Sequence, residues 1–96
     1  MHAAALRLEL RIPGVRSLKE KRRVLKALMN QLSVAFPIAI AEVGFQDQWR
    51  RATVGVALVG PQAGHLERII HAVQRTIADR SDVELLEMGV SYLEEQ

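Results

Sequence analysis

The chain has 96 residues, 49% of them hydrophobic and 25% charged, which is enough for one core and one domain over residues 1–96 and excludes both a second domain and default disorder. It contains no cysteine, so disulfides and thiolate metal ligands are excluded and the cytoplasm is the expected compartment. The net charge is only +2, but residues 1–60 carry ten basic and four acidic side chains while residues 61–96 carry three and seven, a polarity that would steer an anionic partner or a second copy.

The opening MHAAALRLELR holds a short apolar run broken by Arg7, Glu9 and Arg11, which fits neither a secretory signal nor a membrane span, so no membrane association is expected. Within it LRLELRI, residues 6–12, alternates apolar and polar, the period of a strand with Leu6, Leu8, Leu10 and Ile12 on its buried face. Pro13 and Gly14 end it. Ser17 followed by Glu20 is a capping-box signature, so a helix starts near Leu18 and ends by Phe36, because Pro37 disfavours helix at the residue before it. At 100° per residue Leu18, Val24, Leu25, Leu28, Met29, Leu32, Ala35 and Phe36 share one side. IAIAEVGF (38–45) and ATVGVALV (52–59) are strand-length runs separated by QDQWRR, a hairpin with a long tip. Leu66, Ile69, Ile70, Val73 and Ile77 mark a second amphipathic helix, a polar turn spans Asp79 to Asp82, and VELLEMGVSYL reads as a last strand before an acidic tail.

The order strand, helix, strand, strand, helix, strand, with both helices long enough to cross over, predicts a ferredoxin-like α+β fold: a four-stranded antiparallel sheet with two helices on one face. Tracing the directions brings the start of the first helix, the hairpin tip and the Asp79–Asp82 turn to the same end. Arg16, Lys19, Lys21, Arg22, Arg23 and Lys26 at the helix start then lie near Arg50, Arg51 and Trp49 of the tip. Lys19, Arg22, Arg23 and Lys26 form one stripe opposite the apolar face. Helix starts favour anions, and each cation there costs about 0.3–1 kcal/mol at low salt. Lys21 falls on the apolar side, where its stem must snorkel to an edge or meet a carboxylate such as Glu42. A bound phosphate would relieve both tensions, and Trp49 could stack a base, so these nine residues are the candidate RNA- or anion-binding set. The same stripe is also what a merely solvated helix face looks like.

The segments SLKEKRRVLKAL, AEVGFQDQWRRATVGVALV and VELLEMGVSYL together resemble the YlxP-like family, small bacterial proteins classed as a domain of unknown function. The resemblance covers nearly the whole chain. It implies the ferredoxin-like fold and a service in translation or ribosome maturation, and it supplies no catalytic residues. Where relatives tend to carry an acidic residue after AEV, this chain has Gly44, which argues against a carboxylate role at that position.

Other chemistries find little support. His2, His65 and His71 lack metal-ligand spacing, Ser17, Ser33, Ser81 and Ser91 lack a nucleophile setting, and the glycines match neither a P-loop nor a dinucleotide fingerprint. No cofactor, metal or catalytic activity is therefore expected. If Leu6, Leu8 and Leu10 face the helices, the other sheet face shows Arg7, Glu9 and Arg11 beside Ala39, Ala41, Gly55, Ala57 and Gly89, a flat surface suited to a homodimer through sheet faces or edges. The alternative to RNA binding is accordingly a homodimeric protein-interaction module.

Overall fold

The computed structural model describes residues 1–95 and has the predicted architecture. Its elements are β1 (His2–Arg11), α1 (Leu18–Ala35), β2 (Ala39–Gly44), β3 (Arg51–Gly60), α2 (Ala63–Ala78) and β4 (Glu84–Glu94). The sheet is antiparallel throughout in the order β2-β3-β1-β4, the ferredoxin-like arrangement, with both helices on one face. Neither helix is long and apolar enough to cross a membrane.

The two central strands explain the core. Leu6, Leu8 and Leu10 of β1 stand in register beside Val56, Val54 and Ala52 of β3, all buried. Leu25, Leu28 and Leu32 of α1 and Leu66, Ile69, Ile70, Val73 and Ile77 of α2 close over them. Each buried leucine or isoleucine contributes about 1.5–3 kcal/mol by leaving water. Ala35, expected on the apolar side, is exposed because α1 ends there and the chain turns toward β2.

β1 begins at His2, four residues before the alternating segment. Alanines 3 to 5 have weak strand preference, but ladders with β3 on one side and β4 on the other satisfy their backbone groups. β2 stops at Gly44 rather than at Phe45, whose φ of 57° turns the chain out of the ladder. A bulge at Val43 precedes this turn, and a second bulge in β4 follows Leu85.

Candidate functional site

The site is assembled at the end where β1 runs out, α1 starts and the β2–β3 hairpin returns. Ile12 N–H donates to the Arg50 carbonyl at 2.9 Å, and Arg50 Nε donates to the Val15 carbonyl at 3.2 Å. These contacts cross from the tip to the loop before α1, so the predicted convergence is present. The Asp79–Asp82 turn joins them, since Ser81 and Asp82 share a shallow depression with Pro13, Val15, Glu20 and Arg23.

The start of α1 carries its own anion. Ser17 Oγ accepts from Glu20 N–H at 3.1 Å, and Glu20 Oε2 accepts from Arg16 N–H at 2.6 Å. The return bond thus reaches one residue further upstream than a standard capping box, which would take the Ser17 N–H. The cap takes the Glu20 N–H, and the Glu20 carboxylate sets a negative charge at the helix start that opposes a second anion there.

Lys21 is the exception within the basic cluster. It is 1% exposed, donates from Nζ to the Phe45 carbonyl at 2.6 Å and sits 3.0 Å from Glu42 Oε2. That second contact is an ion pair lying off the hydrogen-bond line, so Oε2 has a charge partner without a hydrogen-bond donor. The carboxylate anticipated from the helical wheel is therefore the one found, and Lys21 leaves the set available to a ligand. Its place is structural: the Phe45 carbonyl also accepts from Gln48 N–H at 3.0 Å, so the lysine holds the turn in which Phe45 is strained. A bulky residue with positive φ costs about 1–3 kcal/mol and persists only when its surroundings hold it.

Arg51 is also partly spent. Its guanidinium lies over the Phe45 ring, 4.7 Å from the centroid, and Nη2 is 3.8 Å from Glu9 Oε2. Arg16, Lys19, Arg22, Arg23, Lys26 and Arg50 are exposed, and among the described residues none of them forms an ion pair. Trp49 is 49% exposed on the tip rather than folded over the core. Nearby acids have other business: Asp82 takes a two-pronged contact from Arg80 at 2.8 and 2.9 Å, and Arg80 Nη1 reaches Gln31 Oε1 of α1 at 2.6 Å. Asp47, exposed on the tip, is the carboxylate closest in sequence to Trp49.

A feature beyond the sequence reading is a groove between α1 and β2, the edge strand nearest to it. Arg22, Arg23, Leu25, Lys26, Met29, Asn30 and Ser33 line it from α1, and Ile40 and Glu42 line it from β2. The helical wheel put Met29 on the apolar side; beside the edge strand β2 it is half-buried and lines the groove. Gly44 is also explained: a Cβ there would lie 3.0 Å from Thr53 Cβ and Oγ1, and Thr53 Oγ1 donates to Glu9 at 2.6 Å. A side chain at that position would have to displace Thr53 by a few tenths of an ångström.

Residues 3–90 match the family model described as "Protein of unknown function (DUF503)". The chain belongs to this family. It is 35% identical over 68 residues to the uncharacterized protein YlxP of Bacillus subtilis (strain 168), covering 71% of this chain and 74% of that protein. Among solved structures it is similar to the de novo designed protein Foldit4, with a TM-score of 0.54 and 12% identity over 98% of this chain and 99% of that one, a likeness of fold alone.

Proposed function

We propose that this protein is a non-enzymatic, cytoplasmic RNA- or ribosome-associated accessory protein. The exposed stripe of α1 and the neighbouring groove hold phosphates, Arg16 and Arg50 widen the positive field, and Trp49 stacks a base. The observation that carries this reading is the exposed, unpaired state of Arg22, Arg23 and Lys26 on a groove wall beside a fixed hairpin tip. Unpaired surface cations concentrated on one side attract polyanions, and a groove turns that attraction into a track. Because the helix cap already has its carboxylate, binding rests on side-chain cations and falls steeply with salt.

The test is RNA binding by the intact protein at several salt concentrations, with Arg22→Glu/Arg23→Glu as the variant. Single-strand affinity is expected to drop and the salt slope to flatten by roughly 0.7 for each phosphate no longer held. Unchanged affinity and slope would discard the reading. A second reading, an interaction module gripping an acidic protein segment, draws on the apolar lining residues Leu25, Met29 and Ile40 beside the free edge of β2. Equal retention of acidic polypeptide and RNA by the wild-type chain, lost together in the double variant, would favour it.

A further inference from the structure

The sheet face away from the helices is a surface that the proposed RNA reading leaves unused, and it is independent of that reading. In register across β3, β1 and β4 it presents Ala57, Ala5 and Ser91 in one row and Gly55, Arg7 and Gly89 in the next, with Ala39 and Ala41 of β2 alongside. Val43, Val59 and Leu93 are exposed at its margins, at 59%, 63% and 60%. Alanine and glycine keep its middle flat. With strands ~4.8 Å apart and residues ~3.4 Å along them, the face covers about 600 Å². Two copies face to face would bury roughly 1,200 Å², the lower end of what stable specific pairs use.

Its charges show what covers it. Arg11 is paired with Glu84 at 3.1 Å, and Glu9 is occupied by Thr53 and Arg51. Arg7 and Glu87 remain, and among the described residues neither has an ion-pair partner. The Arg7 side chain reaches over Gly89, with Nη2 3.6 Å and Nε 3.9 Å from where a Cβ would be. Glu87 stands directly opposite Glu9 in the ladder, a like-charge pair that is unfavourable in an isolated sheet. One unspent cation and one unspent anion on the same face complement a second copy of that face, because a two-fold axis makes both contacts at once. The edges are poorer candidates: β2 has six residues and a bulge, and β4 is bulged and acidic, devices that discourage edge pairing.

We infer that the protein forms a two-fold homodimer through its open sheet face, with Arg7 of each copy paired to Glu87 of the other. The dimer leaves both α1–β2 grooves exposed on its outer sides. Mass by light scattering and sedimentation decides it, using the full chain of 10.7 kDa. The wild type should run at twice that mass. Arg7→Glu and Glu87→Arg should each run as folded monomers, with unchanged far-ultraviolet circular dichroism. Mixing the two variants should restore a dimer, since the two reversed charges then face each other in one pair while the native Arg7 and Glu87 face each other in the second. Ala57→Arg, a bulky charge on the flat middle, should also give a monomer. A monomeric wild type, a dimer untouched by Ala57→Arg, or a mixture that stays monomeric would each overturn the inference.

Discussion

Replacing Lys21 by methionine separates a structural lysine from a binding one. Methionine keeps the buried stem and removes the ammonium, which loses the 2.6 Å bond to the Phe45 carbonyl and leaves Glu42 without its cation. Breaking a buried pair from one side typically costs 3–5 kcal/mol. Two features push the value to the lower end: the Glu42 side chain keeps 22% of its surface in water, and the Phe45 carbonyl retains the Gln48 N–H. The expected loss is about 3 kcal/mol, a drop in Tm of roughly 12–24 °C for a domain of this size. Urea titration followed by circular dichroism measures it, and Trp49 fluorescence reports the tip separately. Acrylamide should quench Trp49 more readily in Lys21→Met, because the strained turn at Phe45 loses one of its holders. Lys21→Met/Glu42→Leu should recover most of the stability, since an apolar pair of similar volume replaces the ion pair. A loss below about 1 kcal/mol in the single variant, or no recovery in the double, would mean that the pair is not buried in solution and that the tip is held by other means.

Two smaller changes test local claims. Ser17→Ala should cost about 1 kcal/mol by freeing the Glu20 N–H, and Ser17→Gly only a few tenths, as measured by urea midpoints; equal losses would remove the cap from the account. Gly44→Ala should lower stability by about 1–3 kcal/mol in a thermal melt, because the new methyl meets Thr53 at 3.0 Å; an unchanged Tm would show that the β2 bulge yields freely.

The elements whose sequence period matches their environment were legible. Residues 6–12 alternate because they have one face in the core and one outside, and both helices repeat at three and four for the same reason. The strand extension over alanines 3 to 5 was not legible, since small residues carry no pattern and the pairing comes from β3 and β4. At the candidate site, the wheel placed Lys21 against the core and named Glu42, but counting it with the surface cations overlooked that a buried pair is withdrawn from ligands. The groove could not be read from either segment alone, because one wall is a helix and the other a strand edge.

By itself the sequence determined the order of elements, the fold class, the cap at Ser17 and the surplus of cations in the first two-thirds of the chain, all of which depend on neighbours within a few positions or on composition. Only the tertiary structure decided which of those cations are free. That choice depends on contacts such as Lys21 with Phe45 and Arg51 with Glu9, made between residues far apart in the chain. Coulomb attraction and desolvation depend on distance in space and on access of water, and neither quantity exists until the chain has folded.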